Sequence, residues 1–410
     1  MSLEKWLGDT AKRWRELHGE SDWNGLLDPF DLGLRRTVIR YGEMAQATYD
    51  AFNRESVSPH AGLSMFSRRS FFRRAQLPDH AAAYRVTRFL YATSSVAVAA
   101  EAFMLRSVSP RGRRCRESNW IGYVAVATDG GAAALGRRDV VVAWRGTIQK
   151  MEWIDDLEFV MAPPKGILGD VEAPDAMVHR GWLSMYTSSD PESSHNKDSA
   201  RDQVLKEVAR LVDMYGDEEM SITVTGHSLG AALATLNAFD IAANGHNVSR
   251  RRASPFPVTA FAFASPRVGG HGFKRRFAAA AALRLLRVRN ARDVVTRYPA
   301  EALHYADVGA ELAIDTWESP YLRRPGNELV WHNLECYLHG VAGARGGGGG
   351  SSFELVVERD VALANKTYGA LCEEHGVPAG WWVPSNRGMV RGDDGRWTLM
   401  DCEEDEDCAE

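Results

Sequence analysis

Ten residues, Ser221-Ile222-Thr223-Val224-Thr225-Gly226-His227-Ser228-Leu229-Gly230, hold the densest chemical signal in the chain: a β-branched run passing straight into a Gly-X-Ser-X-Gly turn. A serine on such a turn, between a strand and a helix, presents its hydroxyl at the end of a sheet, poised to attack a carbonyl carbon. Ser228 is therefore the candidate nucleophile. Gly226 and Gly230 meet a steric demand, because strand and helix pass too closely at a strained elbow to leave room for Cβ atoms. The run from Leu229 through Ala231, Ala232, Leu233, Ala234 and Leu236 to Phe239 reads as a buried, Ala-rich helix. A serine that merely capped this helix would explain Ser228 but not the two flanking glycines.

A serine hydroxyl is a weak nucleophile at neutral pH, so Ser228 needs a histidine to take its proton and a carboxylate to orient that histidine. After an elbow of this kind the chain order is serine, acid, histidine. Asp293 follows the apolar run at 283–288, where a loop leaves a core strand and an acid can be held in place. Asp240 is the weaker choice, since it lies within the helix leading away from the elbow. His227 adjoins Ser228, and neighbours in a tight turn point apart. His179 precedes the serine, and His304 follows Asp293 by only eleven positions. His332 and His339 remain. On one helix they would share a face about 10 Å apart along the axis, so only one reaches both Ser228 and Asp293, and the residues alone leave both open. Negative charge developing on the carbonyl oxygen also needs donors. The N–H of Leu229, the residue after the nucleophile, is one. Thr147 offers a second at the end of Val140-Val141-Val142-Ala143-Trp144-Arg145-Gly146-Thr147, with Gly146 permitting close backbone approach. Taken alone, Arg145-Gly146-Thr147 reads as an ordinary surface turn.

The elements that must position these residues follow an α/β pattern. Strands are expected at 121–127 and 139–144, separated by a glycine-rich turn, and again at 222–225, 258–264 and 283–288, alternating with helical segments. Runs without polar alternation suit strands covered on both faces. Residues 1–100 read as mostly helical, with Leu34, Val38, Ala45, Thr48 and Phe52 at helical spacing and 84–100 as a further helix or helix–strand junction. Residues 353–374 read as a closing helix after the flexible glycine run at 346–350. The expected organisation is a helical region at 1–100 packed on an α/β core at 101–345, an extension at 346–400 and an acidic tail at 401–410. Within the core, part of 148–178 reads as a lid over Ser228, although its Pro and Gly content suits a plain loop equally well.

Composition narrows the partners. Of 410 residues, 45% are hydrophobic and 25% charged, as in an ordinary soluble globular protein. A net charge of -5 gives no reason to expect nucleic acid, and no run approaches the length of an apolar membrane span. Early acidic residues at 1–9 argue against a secretory signal or transit peptide. Five cysteines without metal-like spacing point to a reduced, cytosolic compartment and to no metal or cofactor. Asn247-Val248-Ser249 and Asn365-Lys366-Thr367 match the glycosylation pattern and are read as chance matches.

With these residues in place, the chain resembles the class 3 lipase family and, within it, the plant class II phospholipases A1. The likeness is nearly full-length. It is carried by Trp23-Asn24-Gly25-Leu26-Leu27-Asp28-Pro29, Tyr41-Gly42-Glu43-Met44-Ala45-Gln46-Ala47, Phe89-Leu90-Tyr91-Ala92-Thr93-Ser94, Trp144-Arg145-Gly146-Thr147, the Ser228 elbow, His332-Asn333-Leu334-Glu335, Asn386-Arg387-Gly388-Met389-Val390 and Asp394-Gly395-Arg396-Trp397. The resemblance implies an α/β-hydrolase fold: a central, mostly parallel sheet with flanking helices and an N-terminal helical extension. It places nucleophile, acid and base on Ser228, Asp293 and His332 and an oxyanion contact on Thr147. It implies hydrolysis of the sn-1 acyl ester of phospholipids at a lipid–water interface, with peripheral membrane contact, no metal and a cytoplasmic location. Plastid relatives that feed jasmonate synthesis carry transit peptides, so the lack of one argues against that role. Residues 66–74, Phe-Ser-Arg-Arg-Ser-Phe-Phe-Arg-Arg, depart from the Gly- and Tyr-richer family pattern. Interleaved Phe and Arg suit an anionic lipid surface; a solvated loop with one buried Phe is the plainer reading. Two rival functions stand beside this one. A neutral glyceride lipase or general carboxylesterase would use the same chemistry. A lipase-like signalling scaffold would use none, and a complete Ser-Asp-His set counts against it.

Overall fold

The computed structural model describes residues 7–58, 60–96, 119–147, 159–169, 173–252, 254–345, 353–384 and 387–400. Seven strands form one sheet whose spatial order is also their chain order: β1 (Tyr84–Ala92), β2 (Asn119–Ala127), β3 (Arg138–Trp144), β4 (Met220–His227), β5 (Val258–Phe263), β6 (Leu283–Asn290) and β7 (Ala310–Ile314). The pairs β1–β2 and β2–β3 are antiparallel, and β3 through β7 run parallel. The longer helices are α1 (Leu32–Asp50), α2 (Asp129–Leu135), α3 (Arg180–Thr187), α4 (Ala200–Met214), α5 (Leu229–Ala243), α6 (His271–Ala278) and α7 (Leu334–Ala342). The architecture is that of an α/β-hydrolase.

The topology dictates how the two faces are covered. Parallel crossovers keep one hand, so a sheet that grows steadily in one direction receives its connecting helices on one face. Buried side chains of α4, α5 and α6 accordingly pack with Val140, Val142, Ile222 and Val224. Alternate positions, Val141 and Ala143 with Phe261, Leu286 and Val288, face the other way and are buried by α1 and α7. The chain ends therefore supply the second layer. α1 starts cleanly because Asp31 accepts a hydrogen bond from the Leu34 N–H at 2.9 Å.

Four expectations about local structure are corrected. Residues 84–92 are a strand, because Tyr84 and Val86 turn inward while Arg85 faces solvent. The glycine-rich turn between β2 and β3 is a helix, α2: Thr128 caps it by accepting from the Gly131 N–H, and Gly136 ends it at φ 71°. Residues 353–374 do not form a helix. Phe353–Leu355 pairs antiparallel with Gly343–Arg345, and the Asn365 side chain diverts backbone groups by accepting the Ala370 and Leu371 N–H at 2.7 and 2.8 Å. At 66–74 not one but three phenylalanines are buried: Phe66, Phe71 and Phe72 join a cluster with Phe89, Trp120 and Tyr123. The arginines and serines of that segment remain partly or fully exposed. The glycine run at 346–350 and the acidic tail lie outside the described residues.

Candidate active site

The elbow sits at the end of the central strand β4. Ser228 has φ 59° and ψ −127°, a conformation that costs a non-glycine residue energy and persists only where its surroundings impose it. Its N–H is tied to the Phe263 carbonyl at 2.9 Å. A Cβ on Gly226 would stand 2.2 Å from the Gly230 oxygen, and one on Gly230 would stand 2.3 Å from the Trp144 oxygen. Strand, helix and the end of β3 thus meet backbone to backbone, which is why both flanking positions lack side chains.

One imidazole joins the serine to an acid. His332 Nε2 lies 2.9 Å from Ser228 Oγ, and Nδ1 lies 2.8 Å from Asp293 Oδ2. A carboxylate only accepts, so Nδ1 carries the proton and Nε2 of the neutral ring is left to accept from the serine hydroxyl. Asp293 is buried in the turn after β6, its Oδ1 accepting the Val295 N–H at 2.9 Å. The Tyr337 hydroxyl on α7 donates to Asp293 Oδ2 at 2.5 Å. Burial, reinforced by the Asp293 charge, pushes the Tyr337 phenol well above its ordinary pKa, so it stays a donor.

His332 is held from three sides. It lies between the short helix Glu328–Trp331 and α7. Asn290, the last residue of β6, donates to the Trp331 carbonyl at 2.9 Å. Asn333 caps α7 by accepting the Glu335 N–H at 2.8 Å. His227 Nε2 donates to the carbonyl of His332 itself at 2.8 Å, and the Tyr49 hydroxyl lies 2.8 Å from His227 Nδ1. Burial drives the His227 pKa well below the ordinary histidine value, with the neighbouring His332 adding to the effect. His227 is therefore neutral, with its single proton on Nε2, directed at the His332 carbonyl.

The segment expected to supply the second oxyanion donor leaves the sheet beside the elbow. Trp144 of β3 pairs with Gly226 of β4, so Arg145-Gly146-Thr147 emerges next to His227 and Ser228. A Cβ on Gly146 would stand 2.0 Å from Tyr49 Oη and 2.5 Å from the His227 oxygen. Arg145 is fully buried, donating to the Trp120 and Gly146 carbonyls at 3.0 and 2.9 Å and lying 3.9 Å over the Phe52 ring. Burial lowers its pKa to about 9. The surface-turn reading of these residues is thereby excluded. Thr147 is half-buried, and Leu229 opens α5 with its N–H at the helix N-terminus. Among the described residues no group of three or more His, Cys, Asp or Glu side chains is placed to hold a metal ion.

The description of class 3 lipases matches residues 141–303, a span that contains Thr147, Ser228 and Asp293. Across the whole of both chains the sequence is 78% identical to phospholipase A1-II 6 of Oryza sativa subsp. japonica. The chain belongs to the class 3 lipase family. Phospholipase A1-II 4 of the same rice is 58% identical over 97% of this chain and 96% of its own. Among solved structures, a triacylglycerol lipase from Penicillium expansum has a TM-score of 0.45 at 16% identity, over 70% of this chain and 81% of its own. Lip2 lipase from Yarrowia lipolytica has a TM-score of 0.44 at 19% identity, over 70% and 80%. The class 3 lipase described here is a serine ester hydrolase.

The other candidates of this lipase have different partners. His339 Nε2 meets Ser319 Oγ at 2.7 Å and its ring stacks on Phe353, so of the two histidines left open it is the one built into the core. Asp240 is bound by Tyr186, Arg201 and Asn244. His179 caps α3 and stacks on Trp182. His304 is an exposed residue with φ 64°. Tyr49, Asn290 and Tyr337 were not singled out from the sequence: on helices and strands of this apolarity their types read as core or cap, and nothing local marks their partners. Of the lid segment, Met161–Ala162 is fixed in a small antiparallel sheet against Val178–His179, while 148–158 and 170–172 lie outside the described residues. No described helix is long and apolar enough to cross a membrane.

Proposed function

We propose that the lipase hydrolyses the sn-1 acyl ester of phospholipids, with Ser228 as nucleophile, His332 as general base and acid, and Asp293 as the carboxylate that orients it. The observation that carries the reading is the single imidazole within 2.9 Å of a strained serine and 2.8 Å of a buried carboxylate. In the first step Ser228 Oγ attacks the ester carbonyl while His332 Nε2 takes its proton; Asp293 stabilises the imidazolium through Nδ1. The Leu229 N–H and Thr147 meet the charge on the carbonyl oxygen. His332 then passes the proton to the departing glycerol oxygen, leaving an acyl-serine. Water activated by the same imidazole attacks the acyl group and releases the fatty acid.

The choice of phospholipid rests on the relatives named phospholipase A1-II, the first matching at 78% identity from end to end. Such a substrate is presented at a lipid–water interface, so peripheral membrane contact belongs to the same proposal. So does a cytoplasmic location, which is supported by free thiols at Cys336 and Cys372 and by the burial of both sequon asparagines, Asn247 and Asn365; fractionation of the expressing tissue checks it. The deciding experiment gives wild type and Ser228→Ala phosphatidylcholine with different acyl chains at sn-1 and sn-2, with triacylglycerol in parallel. Release of the sn-1 acid by wild type alone is expected. Preference for triacylglycerol would move the assignment to a neutral lipase, and equal release by Ser228→Ala would remove the serine from the mechanism.

A further inference from the structure

The charge on Arg145 has no counterpart in the resting site. The side chain is fully buried, yet no Asp or Glu among the described residues pairs with it. Nε and Nη1 donate to the Trp120 and Gly146 carbonyls, and the buried Nη2 has no hydrogen-bond partner among the described residues. The titratable neighbours that act on it are Tyr49 and Arg54. Burial pushes the Tyr49 phenol up, so that group stays neutral, and Arg54 carries the same sign of charge. The Phe52 face at 3.9 Å offsets part of the cost of taking a guanidinium out of water. Without an anion most of that cost remains. Two carbonyls would be satisfied as well by the neutral N–H groups of an amide or an indole, so hydrogen bonding alone does not account for a cation at this position.

The Gly146 carbonyl that Arg145 holds belongs to the same peptide unit as the Thr147 N–H. That unit is planar and trans, so the N–H points opposite to the carbonyl, and fixing one fixes the other. Donation to the carbonyl oxygen also polarises the unit and makes its N–H a stronger donor. We propose that Arg145 is a positioning residue for the oxyanion donor: its guanidinium fixes the Gly146–Thr147 peptide so that the Thr147 N–H meets the carbonyl oxygen under attack, and its charge gains an anionic counterpart when that oxygen becomes negative. The proposal rests on the reading of Ser228 as nucleophile and Thr147 as second oxyanion donor. An attraction that is absent from the resting enzyme and from the bound neutral ester, and present in the tetrahedral intermediate, raises kcat without tightening KM.

The surroundings place this peptide against the elbow. A Cβ on Gly146 would stand 2.5 Å from the His227 oxygen, and one on Gly230 would stand 2.8 Å from the Arg145 carbonyl carbon. Backbone from residues 145–146 therefore touches the elbow on both sides of Ser228 and Leu229. Arg145 also ties this backbone to β2 through the Trp120 carbonyl, while its own N–H donates to the Ile121 carbonyl at 2.7 Å. The guanidinium spans two carbonyls with a rigid fork; an ammonium would keep the charge as a single point, and a thioether would fill the space with neither fork nor charge. Losing an oxyanion donor outright costs about a hundred- to a thousandfold in kcat. Loosening one should cost about tenfold with lysine, and loosening it while removing the charge about a hundredfold with methionine.

The test compares the full chain with Arg145→Lys, Arg145→Met and Ser228→Ala on a monomeric p-nitrophenyl ester, with thermal melts to establish that each variant is folded. Inhibition by an alkyl trifluoromethyl ketone is measured on the same proteins. Ser228 Oγ adds to the ketone carbon, His332 takes the serine proton, and the adduct carries a tetrahedral oxyanion of the kind the reaction forms. The expected result is the tenfold and hundredfold loss of kcat with KM within about twofold of wild type, and a ketone inhibition constant that rises in proportion to the loss of kcat/KM. A residue that only supported the fold would lower the melting temperature without producing that proportion. If Arg145→Met does not fold, Arg145→Lys decides by the same two readings. Wild-type kcat in a folded variant, a loss confined to KM, or a loss of kcat with unchanged ketone affinity overturns the proposal and leaves the nucleophile in place. Equal hydrolysis by Ser228→Ala and wild type overturns the underlying reading, and the proposal with it.

Discussion

Replacing Tyr337 by Phe removes one oxygen atom and leaves the shape of α7 intact. The lost group is a buried hydroxyl that donates to Asp293 Oδ2 at 2.5 Å, beside the His332 Nδ1 contact of 2.8 Å on the same oxygen. A hydrogen bond to a charged group contributes about 1.5–3 kcal/mol, and here no water has evident access to replace it, since both residues are 1% exposed or less. For a chain of 410 residues the unfolding entropy is about 0.9 kcal/mol/K, so the melting temperature should fall by about 2–3.5 °C. Asp293 retains the Val295 N–H and His332, so the acid remains in place but is less tightly fixed. The turnover loss should be about tenfold, far below the roughly millionfold loss expected for His332→Ala if the triad acts as a unit. The assay pairs a thermal melt with hydrolysis of a monomeric ester. A variant that melts like wild type would show that the bond contributes nothing. A loss as large as that of His332→Ala would show that Tyr337 acts on the reaction directly and not through Asp293.

Three further outcomes rest on other contacts. Gly230→Ala puts a Cβ 2.3 Å from the Trp144 oxygen and 2.8 Å from the Arg145 carbonyl carbon; both are backbone, so the elbow must shift, and a displacement near 1 Å should cost about a hundredfold in kcat. Wild-type kcat in a soluble variant would contradict this. Lys366→Met strands Asp50, whose carboxylate the ammonium meets at 2.5 Å, and should cost about 3–5 kcal/mol; adding Asp50→Leu should recover most of it, because an unpaired buried charge is worse than none. Additive losses in the double variant would refute that account. Acid should destabilise the fold. Burial lowers His80 and His339 to about 4, His179 to about 3, and His18 and His227 well below the ordinary value. A base whose folded pKa is depressed contributes stability above its unfolded value near 6.5, which is lost as pH falls, at up to about 1.4 kcal/mol per pH unit for each group. Glu43, raised by burial to about 7, and Asp50, also raised by burial, act oppositely, since their contribution is present at low pH and lost as pH rises. Five groups outweigh two, so the melting temperature should drop between pH 6.5 and 5, and a flat or rising profile would sink the argument.

Much of the site was legible because its demands are local. Two glycines and a β-branched run mark an elbow whatever surrounds it, and the parallel strands announce themselves as apolar runs without alternation. Asp293 follows from chain order together with its place in the loop after a core strand, whereas Asp240 lies within a helix. The choice between His332 and His339 did not follow from periodicity, although a local signal was present: Asn333 is a strong helix cap, which puts His332 outside α7 at its mouth and His339 inside it. Misreadings occurred where short polar side chains compete with the backbone. Thr128 and Gly136 turned a glycine-rich stretch into a helix, and Asn365 kept an apolar stretch from becoming one.

What no local pattern reveals is which segments cover the face that the crossovers leave bare. α1 and α7 are 283 residues apart between Asp50 and Asn333, yet both must lie on that face for the sheet to be buried at all. Their meeting does more than fill space. α7 brings Tyr337 to Asp293, and α1 brings Tyr49 to His227, whose Nε2 donates to the His332 carbonyl. Behind them Asp50 of α1 is held by Lys366, and Arg359 pairs with Glu335 of α7, so residues after β7 fasten both helices. The layer demanded by topology is thus the layer that orients the base, and a mutation that loosens the packing of α1 on α7 should reach catalysis through His332 without touching any residue of the triad.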